Sequence, residues 1–280
     1  MIKKPKYPKV LTIAGSDSGG GAGIQADLKT YAALGCYGMS ALTAITAQNT
    51  QGVLGIHAIP PLMIGQQIQA VLEDIGTDAI KIGMLHDEDT IYAVQQSLQI
   101  NAKRWNWLVL DPVMVATSGD RLIKKEAEAF LVERLFPIAS VITPNLPEAE
   151  LLLGRQISSS DQMLQAAKEL LELGPHSVLL KGGHLEEEEL VDIFLVKNES
   201  KPLILKTSKI HTSNIHGTGC TLSSAIAAHL ALGNSLRDSV SLAHGFLQQA
   251  IEAGKEVLTG GGHGPVNHGF DPRKMKIVGS

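Results

Sequence analysis

Short apolar, β-prone runs alternate with amphipathic helical stretches along almost the whole chain, and that alternation most constrains what it can fold into. Runs at 10–14, 40–47, 79–82, 107–110, 140–143 and 177–180 read as buried strands. Between them, 22–34, 61–74, 88–99, 123–134, 147–153 and 160–173 carry apolar residues at helical spacing. Strands apolar on both faces and separated by helices belong to a parallel sheet covered on both sides. The segment 190–211 breaks the rhythm. Two β-like runs, 190–196 and 203–210, flank the polar turn 197–202, which predicts an antiparallel hairpin at one sheet edge. Helices over 218–232 and 235–255 follow, then a Gly/His-rich stretch at 260–269. No composition break or repeat divides the 280 residues. The expectation is one α/β domain, an α-β-α sandwich of three layers around a mostly parallel sheet, with 1–9 as an N-terminal arm and 260–280 as a C-terminal tail.

Hydrophobic residues make up 44% of the chain, enough for a large core, and disorder is excluded. Aromatics are only 4%, the formal charge is −4, and the sole basic cluster is the lysines at 3, 4, 6 and 9. Nucleic acid is not the expected partner. Two cysteines, at 36 and 220, make neither a disulfide framework nor a cysteine metal site. No run approaches the roughly 20 apolar residues of a membrane span, and the N-terminus lacks a signal-peptide core. The reading is a soluble, cytoplasmic protein with no membrane partner.

In open α/β sheets the ligand lies beyond the carboxyl ends of the strands, so the residues just after each strand matter most. The first such loop, Gly15-Ser-Asp-Ser-Gly-Gly-Gly-Ala-Gly23, is too glycine-rich for ordinary packing but fits neither a P-loop nor Gly-x-Gly-x-x-Gly. It suits a backbone that hugs a small substrate, with Asp17 and Ser18 as polar contacts. Asp27, one turn into the next helix, is either a ligand or an acid favoured by the helix dipole. Gln48 offers both a donor and an acceptor, which suits the edge of an aminopyrimidine, although a turn residue tied to backbone explains it equally. Asp111, ending the strand 107–110, needs a charged partner or a metal; it would steady magnesium-bound phosphates or support a base. Asn145 and Glu148 lie three apart at a helix start, either reaching the water shell of Mg²⁺ or forming a capping box. Lys181 is placed to meet a nucleotide phosphate. The acidic run 186–189 is a solvated stretch or part of a flap.

The tract Ile-His-Gly-Thr-Gly-Cys-Thr-Leu-Ser at 215–223 runs into an alanine-rich helix. Glycines that let the backbone turn sharply, followed by unsatisfied helix amides, make an anion site. Gly217, Thr218, Gly219 and Cys220 are its residues, and Cys220 is expected to have a lowered pKa at the helix end. A base there would be worth roughly 10²–10⁴ in rate. The alternative is a turn into a packed helix with an inert cysteine.

Together these tracts resemble the hydroxymethylpyrimidine/phosphomethylpyrimidine kinases of thiamine biosynthesis, in the ribokinase-like superfamily. The resemblance rests on Ala14-Gly-Ser-Asp-Ser-Gly-Gly-Gly-Ala-Gly-Ile-Gln-Ala-Asp-Leu-Lys29, Thr46-Ala-Gln-Asn-Thr50, Lys81-Ile-Gly-Met84, Asp111-Pro-Val-Met114, Thr143-Pro-Asn-Leu-Pro-Glu-Ala149, Lys181-Gly-Gly-His184 and His216-Gly-Thr-Gly-Cys-Thr221. It implies a ribokinase-like sandwich, ATP and Mg²⁺, and transfer of the γ-phosphate to a hydroxymethylpyrimidine and then to its monophosphate. By resemblance Gln48 binds the pyrimidine, Ala22, Met84 and Val113 form apolar walls, and Asp27 falls on a substrate-site position. Asn145, Glu148 and Lys181 fall on the nucleotide–magnesium side, with Glu148 meeting the metal through water. Gly217 to Cys220 form the anion hole, and a homodimer is implied. Ile215 and the acidic stretch after His184 depart from the pattern. A pyridoxal kinase, or an enzyme of dual specificity, is the alternative.

Overall fold

Period-two alternation in the buried strands decides the layering. In the computed structural model, which describes residues 5–114, 123–183 and 189–279, nine strands form one sheet. They are β1 (Lys9–Asp17), β2 (Tyr37–Asn49), β3 (Gly52–Ala58), β4 (Ala79–Ile82), β5 (Trp107–Leu110), β6 (Val141–Ile142), β7 (Ser177–Leu180), β8 (Glu189–Val196) and β9 (Leu203–Ser208). The order is β3-β2-β1-β4-β5-β6-β7-β8-β9. From β2 to β7 all pairings are parallel, and both edges are antiparallel. The chain leaves β1 toward β2 and later returns to its other side as β4, so the reversal of strand order lies at the carboxyl end of β1.

The helices are α1 (Gly23–Ala33), α2 (Pro61–Asp74), α3 (Glu88–Ile100), α4 (Lys125–Leu135), α5 (Leu146–Leu153), α6 (Ser160–Glu172), α7 (Thr218–Ala231) and α8 (Leu236–Gly254). Leu11, Ile13, Ile80, Ile82, Leu108 and Leu110 point to one face, where α2, α3 and α4 cover them with Ile64, Ile68, Leu72, Ile91, Val94 and Leu131. Val10, Ala79, Val109, Val141 and Leu179 point to the other, against Tyr31 of α1, Ala225 and Ala228 of α7, and Val240 and Phe246 of α8. This is the expected three-layer sandwich. On that second face, the next position of the same alternation is Thr12, Lys81, Asp111, Thr143 and Lys181. The strands therefore bring five polar groups to one end of the layer that α7 covers.

Four differences from the expected organisation stand out. Strand β3 was unforeseen because only its first residues are even half-buried, so the apolar signature of a core strand is missing. Strand β6 is only Val141–Ile142, although the flanking Ser140 and Thr143 amides still donate to Leu108 and Leu110 of β5. The C-terminal stretch is strapped down: Asn267 N–H donates to Ala250, Arg273 to Ala33 and Lys276 to Gly35, with Val266 and His268 buried. Lys9, read as part of an N-terminal arm, opens β1 and its N–H donates to Asp78 at 2.8 Å. No helix among the described residues is long and apolar enough to cross a membrane.

Candidate active site

The glycine turn before α7 is held by a close backbone approach. Gly217 is the N-cap residue with φ +81°, a left-handed conformation that favours glycine, and no side chain caps the helix. A Cβ on Gly217 would sit 1.9 Å from the carbonyl oxygen of Gly21. The turn thus leans directly on the first glycine-rich loop. No side chain screens the helix dipole there, and the Thr218 amide donates to Ile215 O at 3.3 Å.

Asp17 organises that first loop. Its carboxylate accepts from the amides of Gly19 (2.8 Å), Gly21 (3.0 Å) and Ala22 (2.8 Å), and His216 Nε2 approaches it at 2.9 Å. Burial works against its ionisation, but His216 and the amides outweigh it and hold the carboxyl below its usual range. Ser18 is likewise engaged, donating to Gln48 O and accepting from Gln48 N. Asp17 and Ser18 were expected as substrate contacts; the structure uses both to shape the loop.

Nearby, Thr46 Oγ1 donates to Ser16 O at 2.8 Å and stands 3.1 Å from Gln48 Oε1, and Gln48 Nε2 lies 3.5 Å from His216 Nε2. Met84, Ala44 and Val113 form a small apolar cluster separate from both main cores. Ala22 is half-buried at the N-cap of α1. Asp27 does not join them and is corrected here. It is wholly buried, holding Lys81 Nζ at 3.0 Å to each carboxylate oxygen and accepting from Thr12 Oγ1 and Ser224 Oγ at 2.6 Å. No lone pair is directed at a substrate.

On the opposite side of the turn, Lys181 Nζ lies 3.2 Å from Asp111 Oδ1. Asp111 also accepts from Thr143 Oγ1 (2.9 Å), and Ser223 Oγ stands 3.3 Å from it while donating to Gly219 O at 2.9 Å. Burial opposes its charge, but Lys181 and Lys81 hold it ionised. A Cβ on Gly219 would come within 3.4 Å of Lys181 Nζ, so the lysine stands at the mouth of the anion turn. Asn145 and Glu148 form the capping box: Asn145 N–H donates to Glu148 Oε2 (2.8 Å) and Glu148 N–H to Asn145 Oδ1 (2.9 Å). Glu148 remains beside the charged pair. Burial pushes its carboxyl up to about 7, with Lys181 pulling it down and Asp111 pushing it up.

Cys220 reverses the expected sign. Its thiol is pushed up to about 11, first by burial; Lys81 lowers it, but Asp27 and Asp111 raise it again. The helix end does not win against desolvation and two carboxylates. Thr218 and Gly219 fill the turn between Gly217 and Cys220, and Thr221 donates back to Gly217 O at 2.8 Å. His184 and residues 186–188 lie outside the described residues. Lys81, His216, Ser223 and Ser224 had no assigned role in the sequence. Alternation along β4 would have put Lys81 on the α7 face; His216 carried no such signal.

The mostly parallel sheet between two helical layers is that of ribokinase-like kinases. Residues 17–267 match the family model described as phosphomethylpyrimidine kinase. The chain is 49% identical over 260 residues to the hydroxymethylpyrimidine/phosphomethylpyrimidine kinase of Rhizobium meliloti, covering 92% of this chain and 96% of that protein. It is 48% identical over 268 residues to the thiamine biosynthesis bifunctional protein of Geobacter sulfurreducens, covering 95% of this chain but 54% of that one, so it spans about half of that longer relative. The pyridoxal kinase of Staphylococcus aureus, solved with AMP-PCP and pyridoxal, superposes with a TM-score of 0.83 at 36% identity, over 94% of each chain. The chain belongs to the phosphomethylpyrimidine kinase family and is a kinase.

The Glu148 carboxyl gives a stability signature. Its folded value of about 7 lies above the ordinary 4.5, so the folded state holds the proton more tightly. Raising the pH through that window costs the wild type stability, and the penalty is complete above it. Glu148→Gln, which cannot ionise, should therefore gain on the wild type by on the order of 1–3 kcal/mol as pH rises across the window. Urea unfolding of both proteins across that range checks it; parallel curves contradict it.

Proposed function

We propose that this chain transfers the γ-phosphate of ATP to the hydroxymethyl group of a hydroxymethylpyrimidine, and then phosphorylates the monophosphate to the diphosphate, for thiamine biosynthesis. The observation that carries this reading is the uncapped turn at Gly217–Cys220, with the Lys181–Asp111 pair on one side and Gln48 with the Met84–Ala44–Val113 cluster on the other. One side suits a polyphosphate, the other a small, flat, polar-edged ring. Gln48 would bond the pyrimidine edge, with Ala22, Met84 and Val113 as walls.

Among the described residues no group of three or more His, Cys, Asp or Glu side chains could hold a metal ion unaided. That fits Mg²⁺, which keeps waters and binds through one or two carboxylates plus substrate phosphates. Asp111 and Glu148 supply hard oxygen donors beside Lys181, and Glu148 would act through water. When bound, Mg²⁺ would neutralise charge on the phosphate oxygens. Lys181 would hold the phosphates as a point charge, and the amides of Gly217 to Cys220 would meet the charge of the transferring group. Phosphoryl transfer through a loose transition state asks mainly for positioning and charge stabilisation. Cys220, held as a thiol, then serves as a contact to the attacking hydroxyl rather than as a resting base. A cytoplasmic setting and a homodimer belong to the same reading. The exposed Ile45 of β2, with Leu62 and Met63 of α2, supplies apolar surface for a second copy, and Leu54 and Ile56 are exposed on the other face of the same sheet edge.

The pyridoxal kinase relative keeps vitamin B6 phosphorylation as a second reading, because pyridoxal also bears a hydroxymethyl group. Purified protein offered hydroxymethylpyrimidine, its monophosphate, pyridoxal and ribose separately should consume ATP with the first two. Faster turnover on pyridoxal would overturn the thiamine assignment. Gln48→Ala should raise the pyrimidine KM about three- to tenfold with little change in kcat; an unchanged KM removes Gln48 from the site. Cys220→Ser should keep turnover within about tenfold, whereas a loss of roughly 10²–10⁴ would restore the cysteine as a base.

A further inference from the structure

Helix α7 rests on two buried acid–base pairs, and the mechanism above uses only one. Ser224 Oγ donates to Asp27, which holds Lys81, at 2.6 Å; the adjacent Ser223 Oγ stands 3.3 Å from Asp111, which holds Lys181, but gives its proton to Gly219 O at 2.9 Å. Both pairs lie against α7. They differ in access. Lys181 is 14% exposed at the mouth of the turn, while both side chains of the Lys81–Asp27 pair are 0% exposed. Such a pair is weak evidence for stability, because desolvating two charges offsets most of their attraction. Its position offers another reason. Thr12 of β1 fixes one oxygen of Asp27 at 2.6 Å, and Ser224, one turn beyond Cys220, takes the other at 2.6 Å. Gly83 leaves room for the lysine head, since a Cβ there would be 2.9 Å from Lys81 Nζ.

We propose that Lys81 and Asp27 are positioning residues for phosphoryl transfer: through Ser224 they fix the first turns of α7, and the Lys81 ammonium adds buried positive charge beneath the anion turn. The charged groups that act on Cys220 are Lys81 from β4, Asp27 from α1 and Asp111 at the end of β5, with the Gly23 amide as a hydrogen-bond donor. Of these, Lys81 acts most strongly after burial, and it opposes both acids. The Cys220 thiol is therefore a reporter of the charge under the turn, readable without substrate. The inference rests on the kinase reading only for its turnover arm.

The test is the rate of Cys220 alkylation by iodoacetamide at about pH 8.5, resolved from Cys36 by peptide mass spectrometry, since only thiolate reacts. Asp27→Asn should react about threefold or more faster than wild type, and Lys81→Met slower by a similar factor, because each changes the thiolate fraction in opposite directions. Lys81→Met leaves an unpaired buried acid and risks not folding. The double variant Asp27→Leu/Lys81→Met replaces the pair with apolar side chains, a change that buried pairs tolerate. It should fold, react no faster than wild type, and lose about tenfold or more in kcat with the pyrimidine KM within about threefold. Opposite shifts in alkylation together with that kcat loss support the inference. Shifts in the same direction, no shifts, or a double variant with wild-type kcat overturn it. If the wild type does not phosphorylate the pyrimidine, the functional assignment falls, and the alkylation rates still decide whether Lys81 charges the turn.

Discussion

The structure depends on one close approach, that of α7 to the carboxyl-terminal end of the parallel strands. Residues 221–230 of this helix are buried throughout, and half of the side chains there are Ala or Ser. Small side chains let the helix axis come near the sheet, where larger ones would hold it off. The approach places the uncapped N-terminus of α7 over the polar end of a layer that is otherwise apolar. Thr12, Lys81, Asp111, Thr143 and Lys181 occupy that end because strand alternation leaves them no other face. The anion turn, both ion pairs and the seat of Cys220 all follow from this packing.

Burial gives the site its electrostatic character, and it acts in opposite directions on different groups. Asp17 and Asp111 remain charged because amides, His216 or lysines surround them. Glu148 and Cys220 sit beside other acids and are pushed toward their neutral forms. The helix N-terminus alone would favour a thiolate at Cys220. That expectation fails because it counts the helix and omits the acids from α1 and β5, which only the folded chain brings near. Two lysines, two ionised aspartates and a neutral thiol gathered at this end of the sheet accord with the proposed handling of a polyanion better than with strong base chemistry.

Much of the fold was legible because buried strands and amphipathic helices leave periodic marks: β4, β5, β7 and α2 fall at their expected bounds. Strand β3 left no such mark, since its pairing with β2 is a backbone matter and its side chains face water. The C-terminal strap was illegible for a similar reason, being held by backbone bonds to Ala33, Gly35 and Ala250 rather than by a pattern of side chains. Gln48, Lys181 and the glycine turn were singled out from their places in the sequence, and the structure brings Gln48 beside His216 and Lys181 beside Gly219. Asp27 was misread because its position in a first turn suits either a ligand or a buried partner. Only the register of Thr12 beside Lys81 shows which one it is.

The contact between the two glycine segments ties substrate side to phosphate side. Gly217 touches the Gly21 carbonyl, and a Cβ on Gly21 would in turn strike His216 at 2.4 Å. His216 bonds Asp17, whose carboxylate holds the amides that shape the first loop, and it stands beside Gln48. A displacement of the anion turn cannot leave the first loop in place, because no side chain lies between the two backbones to absorb it. In the proposed reading, the register of a pyrimidine edge against Gln48 would be set by the same turn that would meet the phosphate. Under that reading the coupling would fix the distance between attacking hydroxyl and phosphate through backbone rather than through flexible side chains, which is what in-line transfer with little covalent help from the protein requires.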